Sequence, residues 1–200
     1  MRSSRHSRHP LFDWRTVRCL TGDWTYLLRA VLRSQDAMDK LKPIKFSSLA
    51  VAELIDKTNW ANEFNWQDIR ILARYFTAYE AHRGQVIFYE GAQADYMGLI
   101  ISGAIRISKT GSDNLVKPLV VLRASQTFGE LSLVDGAPRS GLAESLGTTQ
   151  FVITSRRQLK FMSEEQPHLA FRLLWKVSET ISRRLRHTSF KLLDMSASQH

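Results

Sequence analysis

The stretch "FGELSLVDGAPRS", Phe128 to Ser140, puts a carboxylate, Glu130, directly after a glycine and nine residues before an arginine, Arg139, in surroundings otherwise poor in charge. An acid and a base at that spacing admit two readings. In one, Glu130 and Arg139 close an internal salt bridge that stabilises a loop. In the other, the loop encloses a small anion. Backbone N–H groups then point at it, Gly129 permits close approach, and the Arg139 guanidinium matches its oxygens with a forked pair of donors. Glu130 would repel such an anion unless it accepts a hydrogen bond from a neighbouring hydroxyl, and a sugar hydroxyl beside a phosphate satisfies both groups. Pro138 stiffens the approach to Arg139, and Ser140 adds a hydroxyl next to it. Spacing alone leaves both readings open.

On either side of this loop the chain is a series of short β-rich runs. "YEAH", "GQVIFYEG", "YMGLIISG", "AIRISKTG", "LVKPLVVLRA", "GLAESLG" and "TQFVITS" are separated by glycine or polar turn residues. Many short strands at this spacing predict an antiparallel barrel or jelly roll, in an α+β but mainly β chain. Gly84, Gly91, Gly103 and Gly111 fall where tight turns require positive φ. Before the strands, "SSLAVAELIDKT" reads as a short helix. "NWQDIRILARYF" reads as another, with Asn65 as cap and Trp66, Ile69, Leu72 and Phe76 on one face. Trp24, Leu27, Leu28, Val31 and Leu32 form the apolar stripe of a further basic amphipathic helix beside Arg29 and Arg33. That face suits packing on the main domain, or docking on a membrane or partner.

The opening "MRSSRHSRHP" has no acid and almost nothing apolar, the composition of an unfolded tail. His6 and His9 within it lack a third ligand for a metal. The expected organisation is a basic tail over 1–22, a helical extension over 23–63, and the strand-rich domain with its closing helix over 64–200. In that closing segment Leu174, Ile181, Thr188 and Met195 stand seven apart, with Val177, Leu185 and Leu192 placed on the same stripe. This predicts a long helix facing a partner helix or the roll. Thr188 puts a hydroxyl in that seam, where it sets register or touches something bound.

The whole chain of 200 residues carries 28 Lys and Arg against 19 Asp and Glu, a net charge of +9, so an anionic partner is expected. Cys19 is the only cysteine, which excludes an internal disulfide and fits a reducing cytoplasm. No apolar run approaches the roughly 20 residues needed to span a bilayer. No nucleophile stands with a spaced base and no metal-ligand set occurs, so an enzyme is not expected.

"FGELSLVDGAPRS" following "GQVIFYEGAQADYMGLIISGAIRI" resembles the phosphate-binding cassette of the cyclic-nucleotide-binding domain family, including its turn glycines. The resemblance runs from about Trp66 through the final helix. It implies a β-roll capped by helices, with Glu130 on the ribose 2′-hydroxyl and Arg139 on the cyclic phosphate. It also implies that the backbone amides of Gly129, Glu130, Leu131, Ser132 and Leu133, with the Ser140 hydroxyl, help hold that phosphate. The cassette length is closer to the kinase-regulatory and channel form than to the catabolite-activator form. "RRLRHTS", Arg183 to Ser189, resembles the dimer helix of catabolite activators. That likeness implies Thr188 and Ser189 on the adenine amino group, Ser189 from the opposite subunit, with Arg184 near the pocket. Gly141 departs from the family's usual Ala, which would loosen the cassette backbone.

Only 11 residues follow Ser189, too few for a helix-turn-helix reader, so specific DNA binding by this chain alone is not expected. The expected function is a cytoplasmic, homodimeric cAMP sensor, with cGMP as the competing ligand and no other cofactor, signalling by helix rearrangement to a downstream protein. The alternatives are a catabolite-activator-type transcription regulator without its DNA reader, or a membrane-associated cyclic-nucleotide sensor.

Overall fold

The computed structural model describes residues 37, 41 and 43–197. The basic opening with His6 and His9, Cys19, and the stripe from Trp24 to Leu32 lie outside the described residues. Nine strands are described: β1 Pro43–Ile44, β2 Thr77–Ala81, β3 Val86–Phe88, β4 Tyr96–Ser102, β5 Ala104–Thr110, β6 Val116–Arg123, β7 Thr127–Phe128, β8 Leu142–Ser145 and β9 Thr149–Ser155. They form two antiparallel sheets, β1-β2-β9-β4-β7 and β3-β8-β5-β6, closed into the predicted β-roll. The helices are α1 Ser48–Asp56, α2 Trp66–Leu72, α3 Glu130–Asp135, α4 Arg156–Glu165 and the long C-terminal α5 Pro167–Ala197.

Period-two alternation along β4 and β9 separates two cores. Tyr96 and Ile100 of β4, with Phe151 and Ile153 of β9, point into the roll, where they meet Ile87, Phe88, Ile105 and Phe128. Met97, Leu99 and Val152 point the other way, onto Val51, Ile55, Leu72, Leu173 and Val177 of the helices. Residues 51–64 and α5 therefore share one core on the outer face of the five-stranded sheet. Local capping sets where the helices start: Ser47 accepts from the Ala50 N–H at 3.2 Å, and Asn65 from the Asp68 N–H at 2.9 Å.

Several details differ from the pattern read in the sequence. Trp66 is 41% exposed, because α2 turns only Ile69 and Leu72 inward. Of the four turn glycines, Gly84, Gly91 and Gly103 adopt φ near +80°, whereas in the β5–β6 turn the left-handed residue is Asn114. Along α5, Leu173 and Val177 face the chain's own core and Ile181 packs partly against it. Phe171, Leu174, Trp175, Leu185, Phe190 and Leu193 are exposed. The stripe thus divides, Val177 facing the chain's own core and Leu174 and Leu185 facing outward. A helix apolar on two faces looks the same at seven-residue spacing whichever face turns inward.

Candidate functional site

The loop of Phe128 to Ser140 is anchored at both ends. At its start Phe128 pairs with Gly98 across β7 and β4, and its ring lies where a side chain at residue 98 would be, since a Cβ there would stand 2.2 Å from Phe128 Cζ. The glycine inside β4 is thus the mark of a close approach. At its end the Arg139 N–H donates to Ala92 O at 2.9 Å, while the Gly91 N–H donates to Arg139 O at 2.9 Å, tying the loop to the turn before β4. Between these anchors the chain forms one short helix, α3, and not only the loop read from the sequence. Gly129 caps it at φ 73°, and a Cβ on Gly129 would lie 2.4 Å from Arg139 Nη1. Only glycine meets both demands without strain.

Arg139 is 3% exposed and, among the described residues, has no acidic partner. Its Nη1 donates to Gly129 O at 2.7 Å. Its guanidinium carbon lies 4.3 Å from the Phe88 ring centre and 4.1 Å from that of Tyr96. Nε and Nη2 are buried without a hydrogen-bond partner. Burial pushes the Arg139 pKa below the ordinary arginine value. Burial likewise pushes the Tyr96 phenol up to about 12, against the opposing pull of Arg139.

Glu130 is buried too, and its partner is not Arg139. Its Oε1 accepts from Nη1 of Arg184 on α5, while Arg184 Nη2 donates to Thr127 O at 2.6 Å. Glu130 Oε2 is buried with no partner. The internal Glu130–Arg139 salt bridge is therefore not what this loop is built for. Two buried donor nitrogens of Arg139 and one buried acceptor oxygen of Glu130 are instead left unmatched. Buried polar atoms without partners are costly, and among the described residues Arg139 and Glu130 are the charged side chains that hold them.

Residues 79–166 match the family profile described as "Cyclic nucleotide-binding domain". Residues 79–166 are a cyclic nucleotide-binding domain. The chain is 30% identical over 127 residues to a CRP-like cAMP-activated global transcriptional regulator of Mycobacterium tuberculosis, a match covering 64% of this chain and 55% of that protein. It is 26% identical over 126 residues to a cyclic AMP receptor protein of Thermus thermophilus, covering 63% of this chain and 56% of that protein. The chain thus matches about half the length of these relatives. Among solved structures, a cyclic nucleotide-binding domain from Methylobacillus flagellatus superposes with a TM-score of 0.69 at 24% identity, covering 78% of this chain and 90% of that one, which carries the fold.

Within this cyclic nucleotide-binding domain the residues singled out in the sequence occupy unlike environments. Ser132 and Leu133 are buried, Leu131 is 44% exposed, and Ser140 is exposed. Arg184 reaches the cassette. Thr188 and Ser189 are exposed one turn further along α5, their hydroxyls donating to the carbonyls of Arg184 and Leu185 at 3.0 Å each. The single chain therefore does not bring them to Glu130 and Arg139. Gly141 lies against β5. A Cβ there would stand 2.7 Å from the Ser108 carbonyl oxygen, so the residue permits close packing of the cassette on β5.

Sequence reasoning missed Arg156, whose Nε and Nη2 donate to the carbonyls of Leu133 and Ser132 at 2.9 and 3.1 Å and close the C-terminal end of α3. It also missed the two rings around Arg139. Among the described residues no helix is long and apolar enough to cross a membrane.

Proposed function

We propose that this chain is a cytoplasmic cAMP sensor in which Arg139 binds the cyclic phosphate and Glu130 the ribose 2′-hydroxyl. The observation that carries the reading is the Arg139 guanidinium, 3% exposed, with Nε and Nη2 unpartnered. A phosphate accepts a bidentate contact from that edge. Glu130 offers Oε2 to the ribose while Oε1 stays on Arg184, so the ligand need not displace α5 from the cassette. Backbone amides of residues 129–133 and the Ser140 hydroxyl complete the phosphate contacts. In a homodimer seated on the exposed α5 stripe of Phe171, Leu174, Trp175 and Leu185, Thr188 and the partner's Ser189 receive the adenine amino group, which favours cAMP over cGMP.

Binding is felt beyond the cassette because α5 is fastened at two places. At one end Arg184 holds Glu130. At the other, Arg172 pairs with Asp68 at 2.5 Å and Lys176 with Glu63 at 2.5 Å, joining α5 to α2 and the segment before it. A ligand acts only through its different affinity for two states, and filling the free edge of Glu130 is such a difference. The signal then passes through α5 to the N-terminal helices and on to a downstream protein.

With saturating cAMP, amide hydrogen exchange is expected to slow over residues 128–142 and over 174–192 together. Leu185→Asp, on the exposed face, is expected to weaken dimerisation and cAMP affinity in parallel. Ile181→Asp is the poorer probe, since Ile181 packs against its own domain. Protection confined to 128–142, with a monomeric Leu185→Asp that binds as tightly, would remove α5 from the mechanism.

The net charge of +9 and the likeness to transcription regulators favour a second reading, in which the domain belongs to a DNA-binding assembly. Electrophoretic shift of duplex DNA by this chain, if weak, steeply salt-dependent and indifferent to sequence, would reflect charge alone. Sequence-selective, cAMP-dependent shift would establish that second reading.

A further inference from the structure

A buried guanidinium is ordinarily held by a carboxylate, and Arg139 is not. A carboxylate would hold the cation but would also take its donors and repel an incoming phosphate. The rings of Phe88 and Tyr96 avoid both effects: a π-face attracts a cation without accepting its in-plane N–H bonds and without net charge. The two rings meet edge to face, 6.3 Å between centres at 68°, and form a corner with the guanidinium at its mouth. Phe88 comes from the four-stranded sheet and Tyr96 from the five-stranded one, so the corner spans the roll. It is braced from behind by Phe128, 6.1 Å from Phe88, in the space Gly98 leaves open. The Tyr96 hydroxyl donates to Ile87 O at 3.3 Å and links the two strands.

We propose that Phe88 and Tyr96 are positioning residues of the nucleotide site, an aromatic corner that fixes Arg139 with its Nε–Nη2 edge free. The proposal rests on the reading of Arg139 as the phosphate ligand. With one Nη1 N–H donated to Gly129 O and two rings against the guanidinium, Nε and Nη2 keep their donors for new hydrogen bonds. The fork is set before ligand arrives, so its ordering is not charged to binding.

The test is calorimetric titration of cAMP into the full chain and into four variants. Phe88→Leu and Tyr96→Leu remove a π-face at similar bulk and are each expected to weaken cAMP about tenfold. Tyr96→Phe and Phe88→Tyr keep the faces and are expected to stay within about threefold of wild type. A purely structural role does not predict rescue that follows ring character. A second readout needs no ligand: the Arg139 Nε–H resonance, identified by its loss in Arg139→Lys, is expected to be ring-current shifted and slow to exchange. Tyr96→Leu should return it toward the position of free arginine, and Tyr96→Phe should not.

Leucine variants that bind as tightly as wild type, a Tyr96→Phe that loses as much as Tyr96→Leu, or an unshifted wild-type resonance would each overturn the proposal. Should the leucine variants fail to fold, the Phe–Tyr exchanges and the wild-type spectrum decide it. Absence of cAMP binding by the wild type would instead refute the phosphate reading, and the ligand-free spectrum would still report on the corner.

Discussion

Arg139→Leu is expected to lower cAMP affinity by at least about 30-fold, equivalent to roughly 2 to 5 kcal/mol for truncating one member of a buried charged contact. The fold is expected to survive. Arg139 forms no ion pair among the described residues, so the substitution strands no carboxylate there, and it relieves the desolvation of a cation that is 3% exposed. What is lost is one hydrogen bond to Gly129 O and contact with two rings. Thermal unfolding followed beside calorimetric titration separates the two consequences. Intact binding with an early melt would make Arg139 a structural residue.

The second large effect is expected at Arg184. Removing its side chain as Arg184→Ala strips Glu130 of the one cation paired with it among the described residues and Thr127 O of a donor. Breaking a fully buried pair costs about 3 to 5 kcal/mol. Glu130 is 4% exposed but Arg184 keeps 39% of its side chain in solvent, so screening reduces the expected loss to about 1 to 3 kcal/mol. Urea unfolding reads this loss directly. Glu130→Gln in the Arg184→Ala background should recover part of it, because the buried group is then neutral. An Arg184→Ala protein as stable as wild type, with unchanged exchange over residues 174–192, would mean that the cassette does not hold α5.

How much of this was legible in the sequence depends on the range of the interaction. The strands, their turn glycines and the caps at Ser47 and Asn65 are local, set by period and by side chains a few residues away, and they were readable. Glu130 and Arg139 stood out by spacing and by resemblance, but their partners did not. Two arginines compete for Glu130, nine and 54 residues away, and only the fold brings the farther one onto it. The corner on Arg139 joins residues 88, 96 and 139 from two sheets and a loop, a set with no sequence spacing of its own. Gly98 was the one available signal, a glycine inside a strand, which marks close approach without saying of what. Which part of the α5 stripe faces inward is not set by the seven-residue spacing, because apolar residues occupy both sides of that helix.

The unmatched buried groups of Arg139 and Glu130 are proposed to hold the phosphate and ribose of a cyclic nucleotide, cAMP in preference to cGMP. Calorimetric titration of the wild-type chain with cAMP, followed by cGMP under the same conditions, tests it most directly. The expected result is saturable binding of one cAMP per chain, with cGMP weaker. No heat of binding with either nucleotide, from a protein whose circular dichroism shows it folded, would contradict the account.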